Sequence, residues 1–256
     1  MAGFGAGFGF INRCGKAVVP DLRSIASFTA PGGQEFVAIG PTPVSPWNVQ
    51  AGKYLGEPGW VRLECRDGER PPTNPGTVNR IGLDGYPTKF PLDQPVHEEF
   101  SFVPGPNAKA VASGQWLNFH EIHSTAIAGD VEQVGPLGFY LEWSNGSAAN
   151  KFRVKRNAPS YTGSNVTGIA SSDILNSDNL DMVEGQRYDF VVDFYEHPTA
   201  GYVRVWRDGI QIVNYSGPFG YGGGRVLYPQ FRIYRAQRVD TAVTFTKIST
   251  ITVGAP

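Results

Sequence analysis

The stretch from Gly201 to Tyr215 reads GYVRVWRDGIQIVNY and carries the clearest fold signal in the chain. Two runs rich in β-branched and aromatic residues, YVRVW and IQIVNY, flank the pair Asp208-Gly209. An Asp-Gly pair supplies the positive φ angles that a tight hairpin turn requires. The stretch therefore predicts a β-hairpin with strands at Tyr202–Arg207 and Ile210–Tyr215.

The same pattern of short β-rich runs and turn clusters continues on both sides of this hairpin. The 256 residues include 32 Gly and 20 Pro, which is typical of many short strands joined by turns. Amphipathic helical patterns are absent, and Ser171–Leu180 has room for one short helical turn at most. We therefore predict an all-β fold, a concanavalin-like jelly-roll sandwich of two antiparallel sheets. The other predicted strands are Gln34–Ile39, Gly59–Cys65, His97–Val103, Gln115–His123, Gly138–Trp143, Lys151–Lys155, Tyr188–Tyr195, Tyr228–Tyr234 and Ala242–Val253.

The chain divides into a Gly/Phe-rich arm at residues 1–16, expected to serve attachment or assembly, and a single β-sandwich domain at residues 17–256. It contains no run of about 20 apolar residues that would span a membrane. The N-terminus also lacks the basic region and apolar core of a secretory signal. Either a signal has been removed or the protein leaves the cell by another route, such as a phage particle released on lysis. We expect an extracellular or virion-associated location.

Charge and cysteine content narrow the partner classes. The net charge of −1 gives no global field that favours nucleic acid or membrane insertion. Cys14 and Cys65 have no metal-binding spacing and are expected to be free thiols, with a disulfide as the lesser alternative. No cofactor is predicted, because Asp173, Asp178 and Asp181 offer carboxylates for calcium but form no recognised loop. The oligomeric state stays open.

The first chemically distinctive segment is RLECR, in which Arg62, Glu64 and Arg66 would share one face of a strand. Two arginines around a carboxylate suit an anionic ligand, with Glu64 holding the guanidinium groups in place. The alternative is a solvent-exposed ladder of salt bridges.

The second segment is WLNFHEIH, which ends at His123. Glu121 and His123 share one face of the predicted strand, whereas His120 and Ile122 share the other. Two of the chain's four histidines within four residues make this a candidate functional segment. Zinc is a weak prediction because no third ligand stands at a recognisable spacing.

The third segment is YPQFRIYR, in which the polar and aromatic residues Tyr228, Gln230, Arg232 and Tyr234 alternate with apolar ones. One face of this strand can line a groove, or simply face solvent, while the other packs between the sheets. The preceding Gly-rich stretch, residues 217–224, lacks the spacing of a phosphate-binding loop. It predicts either a lid over a groove or a flexible connection.

In order, RLECR, FHEIH and YPQFRIYR resemble three strand motifs of the jelly-roll polysaccharide lyases, which include alginate-lyase, glucuronan-lyase and heparin-lyase-I types. Those motifs run Arg-x-Glu-x-Arg, Gln-Ile-His and Tyr-Phe-Lys-x-Gly-x-Tyr, and the resemblance covers about Ala30 to Ser249. The polar alternation that the three segments share predicts that they lie on one concave sheet. The resemblance implies that the chain cleaves an acidic, uronate-containing polysaccharide by β-elimination.

The resemblance also implies roles for individual residues. His123 matches the motif histidine, expected to act as the base, and Tyr234 matches the motif tyrosine, expected to act as the acid or as both acid and base. Arg62 and Arg66 match the motif arginines, expected to neutralise the substrate carboxylate. The remaining expected substrate-binding residues are Glu121, His120, Tyr228, Gln230 and Arg232.

Three positions depart from the family pattern: Glu121 replaces a glutamine, Gln230 a lysine and Arg232 a glycine. An ionised glutamate would repel the substrate carboxylate. Glu121 must therefore be protonated or paired with Arg62 or Arg66, unless the substrate differs or activity is lost. One alternative function is a non-catalytic carbohydrate-binding module, for example on a phage or prophage particle. A lesser alternative is a jelly-roll glycoside hydrolase, which needs two carboxylates, but its Glu-x-Asp-x-x-Glu signature is absent.

Overall fold

The structure is a computed structural model, and every regular element in its described part is a β-strand. The described residues are 10–11, 17–18, 21–40, 45–66, 69, 78–91, 93–108, 115–131, 135–143, 150–176, 180–236 and 240–254. The strands are β1 (Phe10–Ile11), β2 (Ala17–Val18), β3 (Asp21–Ser24), β4 (Ser27–Thr29), β5 (Glu35–Ile39), β6 (Val49–Tyr54), β7 (Glu57–Cys65), β8 (Val78–Asp84), β9 (Val96–Pro104), β10 (Trp116–Ser124), β11 (Leu137–Trp143), β12 (Asn150–Thr162), β13 (Asn165–Ile174), β14 (Tyr188–Tyr195), β15 (Tyr202–Arg207), β16 (Ile210–Ser216), β17 (Leu227–Ala236) and β18 (Ala242–Val253).

Apart from the short β1–β2 pair, the strands form two eight-stranded antiparallel sheets. The first sheet has the order β13-β12-β11-β10-β17-β8-β5-β4, and the second has the order β16-β15-β14-β9-β18-β7-β6-β3. The predicted all-β jelly-roll sandwich of two antiparallel sheets is confirmed.

The core lies between the sheets and is rich in phenylalanine. Phe102 of β9 stacks on Phe119 of β10 with ring centroids 3.9 Å apart, and Phe100 meets Phe231 of β17 at 5.3 Å. These aromatic pairs join the two sheets directly behind β10 and β17. The opposite faces of those two strands are thereby left for polar residues.

The predicted hairpin is confirmed as β15 and β16. Its turn residues Asp208 and Gly209 have φ angles of 51° and 79°, as an Asp-Gly turn requires. The stretch Ser171–Leu180, which had room for one short helical turn, begins as strand, because β13 continues to Ile174. Residues 177–179 lie outside the described part.

One strand that the sequence did not predict, β8, decides the arrangement of the site. It occupies the place beside β17 in the first sheet, whereas RLECR lies in the second sheet, on β7 and the residue that follows it. The prediction that all three motifs share one sheet is therefore wrong. Alternation identifies the residues on one face of a strand but does not identify the sheet that the strand joins.

Two further expectations concern the ends of the chain and its cysteines. Within the predicted arm, only Phe10–Ile11 is described, so the role of the arm stays a prediction, and Cys14 lies outside the described part. Cys65 is a free, buried thiol. Nowhere in the described ranges is there a helix with the length and hydropathy to span a lipid bilayer.

Candidate functional site

A β-bulge in β10 determines which of its side chains face outward. In the register against β11, Asn118 pairs with Tyr140 and His120 with the adjacent Phe139, so Phe119 is the extra residue. Phe119 and His120 both contact core aromatic rings as a result. Asn118, Glu121 and His123 contact outward-facing side chains of β17. The prediction that Glu121 and His123 share a face is confirmed.

Strand β17 has the two different faces that its sequence predicted. Phe231 and Ile233 are fully buried in the core between the sheets. Gln230, Arg232 and Tyr234 are on the outer face, where they contact side chains of β8 and β10.

One end of this outer face carries a tyrosine surrounded by cations and aromatic rings, which we call the Tyr234 cluster: Tyr234, Arg80, Trp116 and Asn118. In register, Tyr234 stands opposite Arg80 of β8 and Asn118 of β10. The Trp116 ring meets the Tyr234 ring edge-on at 5.0 Å. The Arg80 guanidinium carbon lies 6.0 Å from the centroid of the Tyr234 ring. Tyr234, Arg80 and Trp116 are half-buried and therefore within reach of a ligand.

Sequence reasoning missed Arg80, which is the arginine that the structure brings to Tyr234. The signal was present, because Ile81 and Leu83 alternate with Arg80 and Asp84 on β8. Gly82 interrupts the β-rich pattern, yet the sheet requires it: a Cβ at Gly82 would lie 2.6 Å from the Cβ of Arg232.

The floor beside the Tyr234 cluster is a buried ion pair between Glu121 and Arg232, whose side chains are 0% and 3% exposed. The backbone N–H of Gly135 also donates to the Glu121 carboxylate. Arg232 donates to the Asn118 side-chain oxygen at 2.9 Å and to the Gln230 amide oxygen at 2.7 Å. Burial and the nearby Arg80 guanidinium lower the pKa of Arg232, and Glu121 supplies the counter-charge.

This pairing answers the question that the Glu121 departure raised. Glu121 is paired, but with Arg232 and not with Arg62 or Arg66 as expected. The glutamate and the arginine that depart from the family pattern neutralise each other and therefore behave as one coupled change. Gln230, 1% exposed, joins the same floor through a bond from its amide nitrogen to Asp84 at 2.9 Å.

The other end of the outer face carries a second group, which we call the His123 cluster: His123, Tyr228, Tyr86 and Lys89. The Tyr228 hydroxyl lies 3.0 Å from His123 Nδ1. The Tyr86 and Tyr228 rings meet edge-on at 5.3 Å. The Lys89 ammonium lies 4.1 Å from the centroid of the Tyr86 ring.

The register separates His123 from Tyr234. His123 stands opposite Tyr228, six residues before Tyr234 on β17. At a rise of about 3.3 Å per residue, that is about 20 Å along the strand. The expectation that His123 and Tyr234 act as one catalytic pair is therefore contradicted, because a single sugar unit cannot contact both.

His120 was expected to bind substrate, and this is wrong. Its side chain is fully buried and faces the second sheet, where Nε2 lies 2.9 Å from a Glu98 carboxylate oxygen. Nδ1 lies 3.0 Å from the backbone carbonyl of Gln230, and the ring stacks on Phe231 at 4.4 Å. The bulge at Phe119 accounts for this position.

The arginines of RLECR are held by the protein itself. Arg62 and Arg66 both pair with Glu64, the latter at 2.6 Å. Arg62 also donates to the Gln50 side chain at 3.1 Å, and the Arg66 guanidinium lies 4.2 Å from the Trp47 ring. The salt-bridge ladder left open by the sequence is what the structure contains, and their expected substrate role loses its geometric basis.

The Gly-rich stretch, residues 217–224, is held by hydrogen bonds at Tyr221 and Gly222 and by an ion pair of Arg225, the residue that follows it. These contacts do not fit a freely moving lid. The Glu196 carboxylate accepts bonds from the backbone N–H groups of Tyr221 and Gly222, each at 3.0 Å. Arg225 forms a buried, two-bond ion pair with Asp130. The Arg225 guanidinium holds the pKa of the Asp130 carboxyl well below its usual range.

Metal ligands are not assembled in the described part of the chain. No three His, Cys, Asp or Glu residues there are placed to hold an ion. Asp173 pairs with Arg156, and Asp181 pairs with Lys151 at 2.7 Å. Asp178 lies outside the described residues.

Comparison with solved structures identifies the fold. An endo-β-1,4-glucuronan lyase from the fungus Trichoderma reesei matches 91% of this chain and 96% of its own, with a TM-score of 0.61 and 13% identity. The fold is that of the jelly-roll polysaccharide lyases. Alginate lyase Aly36B matches 85% of this chain and 86% of its own (TM-score 0.56, 7% identity). Family 7 alginate lyase A1-II′, in complex with substrate, matches 91% of each chain (TM-score 0.52, 10% identity).

The resemblance to these lyases found in the sequence is thus confirmed for the fold. No protein-family model matches the sequence, and no curated protein does. Identities of 7–13% carry the fold and not the chemistry, so function is argued from the residues on the outer face.

Proposed function

We propose that this chain binds an acidic, uronate-containing polysaccharide on the outer face of its first sheet and cleaves it by β-elimination at Tyr234. The observation that carries this proposal is the Tyr234 cluster. It places a half-exposed phenol between the Arg80 guanidinium and a buried Arg232 guanidinium, whose carbon lies 4.6 Å from the ring centroid.

β-Elimination fits these groups chemically. The proton at C5 of a uronate is weakly acidic while the adjacent carboxylate keeps its charge. Arg80 would pair with that carboxylate and stabilise the enolate-like charge that develops. Since His123 lies too far away, Tyr234 would serve twice. As the phenolate, beside the Arg80 and Arg232 guanidinium groups, it would remove the C5 proton. The phenol so formed would return that proton to the departing glycosidic oxygen as the C4–O bond breaks and the C4=C5 double bond forms. Trp116 would provide an apolar face against the sugar ring.

The test is a screen of glucuronan, alginate, heparin-like and bacterial uronate polymers for the absorbance of unsaturated uronate. We expect the wild type to generate this chromophore and Tyr234→Phe to lose turnover by on the order of 10² or more. Tyr202→Phe is a matched control, because Tyr202 also lies under a guanidinium, that of Arg204 at 4.8 Å, but in the second sheet. Equal losses in both variants would contradict the proposal.

A non-catalytic carbohydrate-binding module is the second candidate. One observation favours it: the residue expected to act as base, His123, lies about 20 Å from Tyr234 along β17. In that case the wild type would shift in affinity electrophoresis with a uronate polymer but produce no unsaturated product.

A further inference from the structure

We propose that the His123 cluster is a second sugar-binding subsite, which takes another uronate unit of the same polysaccharide. This inference rests on the proposed function, since it needs an acidic polymer on the outer face of the first sheet. It assigns His123 a binding role in place of the catalytic role that the sequence suggested.

Tyr86 and Lys89 supply the outer part of this subsite. Tyr86 is 49% exposed, and the exposed Lys89 ammonium stands 4.1 Å from the centroid of its ring. An aromatic face beside a cation fits a sugar unit that has both an apolar ring face and a carboxylate.

His123 supplies a hydrogen-bonding group. Its Nδ1 lies 2.9 Å from both the backbone nitrogen and the carbonyl oxygen of Ser124 and 3.0 Å from the Tyr228 hydroxyl. Its Nε2 lies 4.0 Å from a Glu121 carboxylate oxygen, on the outer face. Because the protein engages Nδ1, the imidazole would meet a sugar hydroxyl through Nε2, which donates or accepts according to the tautomer.

A cavity of about 210 Å³ adjoins this imidazole. Its lining includes His123, Ser124, Thr125 and Asp130. Arg225 already neutralises the Asp130 carboxylate, so His123, Ser124 and Thr125 are the polar groups that could fix the orientation of a bound sugar there.

The loop that presents Tyr86 is held to β17, so the subsite is formed before ligand arrives. The Gly85 N–H donates to the Pro229 carbonyl at 2.9 Å, and the Thr88 N–H donates to the Gly85 carbonyl at 2.9 Å. The Tyr86 N–H donates to the Asp84 carboxylate at 2.8 Å. A preorganised loop avoids part of the entropy cost of binding.

Distance along β17 determines how the subsite acts. The His123 cluster lies about 20 Å from Tyr234, so only an extended oligosaccharide can occupy both clusters at once. The subsite should strengthen binding of long chains and leave a disaccharide bound at Tyr234 unaffected.

The experiment measures affinity for glucuronan and alginate and for the uronate disaccharides derived from them. Tyr86→Ala and Lys89→Met are placed in a Tyr234→Phe background, which prevents cleavage. We expect each to weaken polymer binding about fivefold and to leave disaccharide affinity unchanged. His123→Gln, which keeps an N–H donor, should retain more affinity than His123→Leu. Tyr202→Ala and Arg204→Met are matched controls from the second sheet and should change nothing.

Each outcome decides a different point. Unchanged polymer affinity in the Tyr86 and Lys89 variants, or an equal loss for disaccharide, would overturn the subsite. If the wild type binds a polymer without cleaving it, the elimination chemistry fails and the subsite is judged from the same binding data. If it binds none of these polymers, the subsite and the proposed function are both overturned.

Discussion

Strands β7 and β8 each bring an arginine to the outer face of a sheet, but only one of these arginines is available to a ligand. Arg62 of β7 pairs with Glu64 and also donates to Gln50. Within the described ranges, the Arg80 side chain of β8 donates to the neutral Gln230 amide oxygen at 3.3 Å and forms no ion pair with a carboxylate. A guanidinium that already pairs with a protein carboxylate attracts a substrate carboxylate only weakly. The two strands therefore differ in whether their arginine is already paired with a protein carboxylate, and this matters more for ligand binding than the presence of the arginine motif.

The largest effect is expected where the protein neutralises a charge in full burial. Glu121→Gln and Arg232→Met should each lower the free energy of unfolding by about 3 kcal/mol, because each leaves its partner charged and buried. The double variant should lose less than either single variant. Urea denaturation measures all three.

The control for the Glu121 and Arg232 variants is Lys247→Met, which breaks the partly exposed ion pair with Glu57. It should lower the free energy of unfolding by less than about 1 kcal/mol. Additive losses at Glu121 and Arg232 would show that the two do not form a coupled pair.

The next largest effect is the difference in kcat/KM between the Arg80 and Arg62 variants. Arg80→Ala should lower kcat/KM on a cleaved polymer by on the order of 10², since it removes the group that stabilises the developing charge. Arg62→Ala should change kcat/KM by no more than about twofold. A larger loss of kcat/KM in Arg62→Ala than in Arg80→Ala would place the site at RLECR, on the second sheet.

A smaller effect is expected inside the sandwich, where His120 Nδ1 lies 3.0 Å from the Gln230 carbonyl and Nε2 lies 2.9 Å from Glu98. With the Nδ1 proton donated to the carbonyl, a single proton remains between Nε2 and the carboxylate. Glu98→Gln supplies that proton from its amide and should cost less than about 1 kcal/mol. Glu98→Ala should cost about 2 kcal/mol or more, because it leaves Nε2 unpaired beside a cavity. Equal losses of unfolding free energy in Glu98→Gln and Glu98→Ala, measured by urea denaturation, would contradict the hydrogen bond between Glu98 and His120 that joins the two sheets.

The sequence predicted most of the fold and part of the site. The hairpin, the alternation of β17 and the shared face of Glu121 and His123 follow from local periodicity, which a sequence displays directly. The bulge at Phe119 was not predicted, because an inserted residue reverses the alternation without changing composition. Arg80 was missed because Gly82, which the sheet needs for close approach to Arg232, breaks the β pattern. The placement of β7 depends on long-range pairing with β18 and β6, which no local pattern encodes.

The smallest effect concerns pH and the ion pair that anchors the Gly-rich stretch. Because Arg225 lowers the pKa of Asp130, this pair stabilises the fold fully above the pKa of a free aspartate, about 4, and loses its contribution as pH falls below it. The difference in Tm between wild type and Asp130→Asn should therefore be constant near neutral pH and shrink in acid. A difference that grows on acidification would contradict the assigned charge state.

The central claim is that the polysaccharide lies on the outer face of the first sheet, and hydroxyl-radical footprinting tests it most directly. Both sheets carry accessible aromatic reporters: Trp116, Tyr234 and Tyr86 at the first, and Trp47, 38% exposed and under Arg66, at the second. With Tyr234→Phe to prevent cleavage, a bound uronate polymer should protect Trp116 and Tyr86 and leave the oxidation of Trp47 unchanged. Protection of Trp47 without protection of Trp116 would place the polymer on the second sheet and contradict the account.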